Sequence, residues 1–269
     1  MIYNEELDKS FETKKEMIDF LVQNKRLNIA KRKSTIKTKR CSFSVHGKSE
    51  AIKSNVTPDI GDTIQAVINT TNIMDSHDDV HAKSIWNKSA KEQNGKTFFL
   101  TDHNMSFDNV ISWPKDVEVS LREITWAELG QKFDGSTTAL IFTTKLHDYS
   151  NKSYVNALKA GVPIEHSIRM RYIDVELAVN DDEYKEEYSV WKAHIDEVVN
   201  RELAEEKGYF YYVREAAIAS EGSAVLSGSN SATPTLSVGE EKANIEPPLG
   251  TQPNSDNGVK AAPVWLNLM

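Results

Sequence analysis

Cysteine is almost missing from this chain: Cys41 is the only one in 269 residues. No intramolecular disulfide can close and no cysteine-based metal cluster can form, which suits a reducing compartment. No run of about 18 apolar residues is present to cross a bilayer as a helix, and the N-terminal MIYNEELDKSFETKK lacks the basic-then-apolar order of a signal peptide. These absences lead to the expectation of a soluble, cytosolic protein with no membrane partner. Acidic residues are missing from one stretch: Val22 to Arg40 holds eight Lys/Arg and no Asp or Glu, so the net charge of −8 leaves −16 on the rest. An acidic bulk argues against general nucleic-acid binding, and the segment Ile29–Arg40 (IAKRKSTIKTKR) reads as a mobile basic linker.

With hydrophobic residues at 39%, the chain can bury one good-sized core and a small second module. Residues 5–30 space Leu7, Phe11, Met17, Ile18, Phe20, Leu21, Leu27 and Ile29 irregularly among charges, as one or two surface helices would. From Thr63 the character changes. TIQAVINTTN, KTFFLTD, DVEVSLREITW, TTALIFTTKL, IEHSIRMRYIDVELAV and YYVREAAIA are rich in β-branched and aromatic residues, often alternating with polar ones, as strands do. The expected fold class is α+β, a mostly antiparallel barrel or sheet with helices set between strands.

Two helices are marked. Ser153–Lys159 starts at a Ser N-cap and stops at Gly161 and Pro163. A longer one runs from Glu183 to Lys207 and ends at Gly208. Its Tyr184, Tyr188, Trp191, Ile195, Val198 and Leu203 form an apolar stripe that faces either the core or a second copy. After Ala219, five of the eight prolines, five of the twelve glycines and seven serines accumulate with few aromatics, and a disordered tail is expected. Its last residues, AAPVWLNLM, are either a docking peptide or a frayed end. The expected organisation is an N-terminal helical and basic arm (1–45), a central domain (46–222) and a tail (223–269).

Three residues carry the candidate chemistry. His103 follows the apolar strand Thr97–Asp102, and a strand end fixes a side chain while leaving it accessible. Ser167 lies inside the strand Ile164–Tyr172 (IEHSIRMRY), with no G-x-S-x-G elbow around it. Glu215 is a carboxylate in the largely apolar Tyr211–Ile218, where a charge needs a partner. Each alone is weak. Together they supply a hydroxyl, an imidazole to take its proton and a carboxylate to fix the tautomer and stabilise the imidazolium. Asp75–His81 (DSHDDVH) packs carboxylates and imidazoles together, but it matches no closed zinc spacing and lacks the EF-hand glycine. It reads as a solvated acidic turn, and no metal or cofactor is expected.

Four segments, in order, resemble the HK97-type phage prohead protease family, whose fold is similar to that of the herpesvirus assemblins. Asn72–Asn87 resembles the block after the family's first strand, through Asp75, Asp79, Val80 and Trp86. Phe99–Asn104 resembles the strand leading to the catalytic histidine. Tyr154–Gly161 followed by His166-Ser-Ile-Arg169 resembles the helix, glycine and serine strand, and Val213–Ala219 resembles the closing strand with the acid. The likeness covers about 160 residues, Thr63 to Ser220. Arg169 stands where the family has glycine, His77 or Asp78 and Lys83 replace glycines of the first block, and Ser220-Glu-Gly-Ser replaces the proline after the closing strand.

The resemblance implies a serine endopeptidase with Ser167 as nucleophile, His103 as general base and Glu215 as third member, His46 and His77 being alternatives for the last. It also implies self-cleavage and a place inside the procapsid in a bacterial cytoplasm, with the major capsid protein and scaffold as substrates and partners. Homo-oligomerisation stays open, and nucleic acid is not an expected partner. A non-catalytic capsid- or scaffold-associated protein on a degenerate protease fold is the alternative. On the protease reading, the basic arm and the tail are expected to be encapsidation or self-cleavage segments.

Overall fold

The computed structural model describes residues 1–4, 6–34 and 58–238. The elements, in chain order, are strands β1 (Ile2–Asn4) and β2 (Lys9–Phe11), helices α1 (Lys14–Gln23) and α2 (Lys25–Ser34), β3 (Thr63–Thr70), β4 (Asp79–His81), α3 (Ser89–Gln93), β5 (Phe98–Thr101) and β6 (Val110–Ser112). They continue with β7 (Glu118–Thr125), β8 (Ser136–Lys145), α4 (Lys152–Lys159), β9 (Glu165–Val179), α5 (Lys185–His194), α6 (Arg201–Lys207), β10 (Tyr209–Val225) and β11 (Thr235–Val238). The fold is mixed α and β, with six α-helices among the described residues. None of them is long and apolar enough to cross a membrane.

Two open sheets, rather than a closed barrel, form the centre of the described residues. One has five strands, with β10 running antiparallel to β9 on one side and parallel to both β4 and β5 on the other, and β6 beyond β5. The second has the order β11-β3-β8-β7, all antiparallel. Their inner faces meet in one core, where Ile64, Ile68, Leu140 and Phe142 of the second sheet pack with Phe99, Ile168, Met170, Tyr172, Ile218 and Ala224 of the first. The alternation of the sequence builds this directly, because every second side chain of a strand points to the same face. On the outward face of the five-stranded sheet, Phe210 and Tyr212 are covered by Trp191, Ile195 and Val198. That stripe therefore faces the protein's own core. The other end of the same outward face holds the candidate site.

Four expectations need correction. The helix expected over 183–207 is broken into α5, a 3-10 turn (Ile195–Glu197) and α6. The backbone of the 72–74 loop pulls the chain out of the helix: Val199 N–H donates to Asn72 O (2.9 Å), and the Asn200 amide both accepts from Met74 N–H (2.8 Å) and donates to Met74 O (2.9 Å). The helix still ends at Gly208, in the left-handed conformation (φ 78°) that glycine takes without strain. α4 is capped by Asn151, whose side chain accepts from Tyr154 N–H at 2.9 Å, and not by Ser153.

Ile29–Ser34 is the second half of α2 and not a linker; the remainder of the basic stretch lies outside the described residues. Arg32 is buried, paired with Asp79 and Glu6, and set over the Tyr211 ring at 3.6 Å. Lys25 pairs with Glu186 (2.9 Å) and Glu187. The composition suggested a solvated run because it could not show these carboxylates waiting on β4 and α5.

Residues 223–238 are not a tail. β10 continues to Val225, and β11 pairs with β3. Between them Asn230 is buried, donating to Thr70 O (2.9 Å) and accepting from Thr70 Oγ1 (3.0 Å) and from Ala232 N–H (3.0 Å). Backbone and amide hydrogen bonds hold a segment that has few apolar side chains to bury. Residues 239–269, with the apolar AAPVWLNLM, lie outside the described residues.

Candidate active site

The site is built where β5 ends beside the last turn of β10. Leu100 and Thr101 pair with Ser223 and Ala224 in parallel register, and Asp102 N–H extends the ladder to Ala224 O (2.9 Å). The chain then reverses through Asp102 and His103, both at φ 54°, closed by Asn104 N–H to Thr101 O (3.1 Å). Two successive positive φ values define a type I′ turn, which non-glycine residues adopt at a cost, and such strain concentrates at functional sites. The turn lays His103 over β10.

Two hydrogen-bonding residues on the same face of β10, either side of Gly222, receive it. His103 Nδ1 is 2.8 Å from Glu221 Oε1, and His103 N–H donates to Ser223 Oγ at 3.2 Å. Ser223 Oγ in turn donates to Glu221 Oε2 at 2.6 Å. Glu221 and Ser223 are fully buried, and the His103 side chain is 10% exposed. Nδ1 is the protonated nitrogen in this arrangement, since the carboxylate only accepts; Nε2 is left as the proton-accepting atom. Gly222 lets the strand lie close to the core, for a Cβ there would sit 2.7 Å from the Phe142 ring and 3.0 Å from Ile68.

Ser167 is the Cα partner of Ser223 across the β9–β10 ladder, so the two side chains share the outward face. It is half-buried, whereas its neighbour His166 points into the core, fully buried, 5.8 Å from the Phe99 ring, with Nδ1 2.8 Å from Thr233 O. Burial pushes the His166 imidazole down to about 4, so it stays neutral. The residues Ala219–Glu221 bulge opposite Arg169, between the pairs Ile168/Gly222 and Met170/Ile218. Ser167 Oγ and the His103 ring are not hydrogen-bonded to each other in this structure. Catalytic hydrogen bonds in unliganded enzymes are often long and tighten on substrate binding.

The sequence-derived site is thus brought together in part. His103 and Ser167 lie on one face of one sheet, one strand apart through Ser223. Glu215 does not join them: it stands beside Asp174 in the ladder, with its carboxylate 3.8 Å from Lys88 Nζ. The carboxylate on His103 is Glu221. His77 is held on the N-terminal side, 3.3 Å from Glu6, and His46 lies outside the described residues. Glu221 and Ser223 escaped the sequence reading; the available signal was an acid, a glycine and a serine interrupting the apolar pattern at a strand end.

Asp75–His81 is not a solvated turn. Asp75, Asp78, Asp79 and His81 are buried. Asp79 takes Arg32 and the Tyr172 hydroxyl (2.6 Å), and His81 lies between Asn69 Oδ1 (3.1 Å) and Tyr172 OH (3.3 Å). Among the described residues, no group of three or more His, Cys, Asp or Glu is arranged to hold a metal ion. Burial, followed by the nearby Asp79 charge, pushes the Asp75 carboxyl up to about 7.

No protein-family model, no curated protein and no solved structure matches this chain.

Proposed function

We propose that this chain is a serine endopeptidase of the prohead-protease type, with the nucleophile on β9 and the base just past the end of β5, on either side of β10. Ser167 is the nucleophile, His103 the general base and Glu221, in place of the Glu215 expected from the sequence, the orienting carboxylate. The observation that carries this reading is the 2.8 Å contact between His103 Nδ1 and the buried Glu221 carboxylate, one strand from a half-buried serine. A carboxylate on Nδ1 keeps Nε2 unprotonated and stabilises the imidazolium once formed.

Ser167 Oγ attacks the scissile carbonyl as its proton passes to His103 Nε2, and the imidazolium then returns that proton to the leaving amine. Water releases the acyl group by the reverse path, with Nε2 again taking and giving the proton. The substrates are segments of the capsid protein and scaffold inside a procapsid, and the chain's own termini. The absence of a direct Ser167–His103 hydrogen bond favours a second reading, a non-catalytic capsid-associated protein that keeps the fold.

The deciding experiment is labelling of the full chain with a fluorophosphonate, followed by intact-mass and peptide mapping. Co-expression of wild type and Ser167→Ala with the neighbouring capsid protein extends it to cleavage. A phosphonyl adduct on Ser167, and capsid-protein truncation only with the wild type, would establish the protease. No adduct and uncut capsid protein in both would leave the structural reading.

A further inference from the structure

We infer that Ser223 is a positioning residue for His103, holding the backbone of that histidine to the same carboxylate that holds its ring. The proposal rests on the protease reading for its consequence in catalysis, while the geometry that motivates it does not.

The Ser223 hydroxyl has one proton, and its environment fixes where that proton points. Its oxygen accepts from His103 N–H at 3.2 Å, and its proton goes to Glu221 Oε2 at 2.6 Å. Glu221 Oε1 meanwhile faces His103 Nδ1 at 2.8 Å. The hydrogen bonds close a ring that leaves His103 by its main chain and returns through its imidazole, with one donor and one acceptor at each junction.

Three consequences follow from chemistry alone. The carboxylate cannot rotate about its terminal bond without losing one of its two partners, so the acceptor under Nδ1 is fixed in direction. The left-handed backbone of His103, which a histidine adopts at a cost, is tied down at its own N–H. Glu221, fully buried, has a donor on each oxygen, which an anion taken out of water requires.

A serine needed only to fill space would be replaceable by alanine with no effect on the imidazole. A positioning serine would not. Gly222 adds to the constraint, since its place against Phe142 and Ile68 leaves Glu221 and Ser223 on the outward face together. Ser167, opposite Ser223, is half-buried and stands outside the ring of bonds, which assigns the two serines different duties: one reacts and one positions.

The test uses the full chain as wild type, Ser223→Ala, Ser223→Thr and Ser223→Cys, with two readouts. Long-range 1H–15N spectra of the imidazole report the His103 tautomer, and the rate of Ser167 phosphonylation against pH reports reactivity. We expect wild type to show a single Nδ1–H tautomer, Ser223→Ala to show mixed tautomers with labelling slowed by about tenfold or more, the weight of a hydrogen bond to a charged group, and Ser223→Thr to restore both. Ser223→Cys fills the same space with a weak donor, so it decides the matter if the alanine variant does not fold. An unchanged tautomer in the folded alanine or cysteine variant overturns the proposal. If wild type is not phosphonylated at all, the protease reading fails, and the tautomer comparison still decides whether Ser223 positions His103.

Discussion

Glu215 and Glu221 lie on the same strand, β10, and only Glu221 reaches His103, while Glu215 stands near the middle of the strand, 3.8 Å from Lys88. Along an extended strand, six residues span roughly 20 Å, so one histidine cannot use both. Glu221→Gln is therefore expected to lower Ser167 phosphonylation by about 10⁴, the cost typical of a triad carboxylate exchanged for its amide. Glu215→Gln should change it by less than about twofold, as surface changes generally do. Second-order labelling rates of the two variants provide the check, and equal losses in both would count against the assignment.

The same pair shows what the sequence could and could not disclose. Strand existence was legible over β3, β5, β7, β8, β9 and β10, because apolar alternation is set by burial of one face; His103, Ser167 and Glu215 could be picked out by residue type alone, and of these the structure places His103 and Ser167 on one face of one sheet. Which carboxylate meets His103 was not legible, because β10 carries register shifts after Val213, after Glu215 and after Ile218. Each shift changes which residue faces which neighbour, and no residue pattern announces its size. Arg32 was misread for a related reason: a buried cation is recognised only by its partners, and Asp79 lies 47 positions away. β11 is short and sits in proline- and serine-rich sequence, where its pairing with β3, not its composition, orders it.

Gly222→Ala tests the close approach of β10 to the second sheet. A Cβ placed 2.7 Å from Phe142, inside a packed core, forces the ring or the strand to move. The expected cost is about 1–3 kcal/mol, as for other overpacking substitutions, read as a lower denaturation midpoint in urea. A midpoint equal to wild type would show that the two sheets are more loosely apposed than described.

Arg32→Met tests whether the N-terminal helices belong to the folded unit. The substitution keeps an unbranched apolar stem but removes the guanidinium that sits over Tyr211, and it strands Asp79, which is fully buried, without its cation. Breaking a buried pair from one side costs about 3–5 kcal/mol. The double variant Arg32→Met/Asp79→Asn should recover a large part of that loss, because the uncompensated charge is then gone. Additive losses in a denaturation cycle would mean that the two side chains are not energetically coupled.

Asp75 and His166 pull the pH dependence of stability in opposite directions. The Asp75 carboxyl is raised from 3.8 to about 7, so between those values the folded chain holds a proton that the unfolded chain has released, and stability falls as pH rises through the window. The His166 imidazole is lowered from 6.5 to about 4, so between those values the unfolded chain holds the extra proton, and stability falls as pH drops. From about pH 4 to 6.5 the two slopes oppose each other. Asp75→Asn keeps an oxygen to accept from His77 and Asp79 N–H and no longer titrates, so its stability relative to wild type should increase as pH rises from 4 to 7. His166→Gln should do the reverse, gaining on wild type as pH drops from 6.5 to 4. Denaturant midpoints at half-unit steps, taken as differences from wild type, isolate each residue from the other titrating groups. Parallel curves for either variant and wild type would place that residue's pKa at its unfolded value and remove burial as the controlling force.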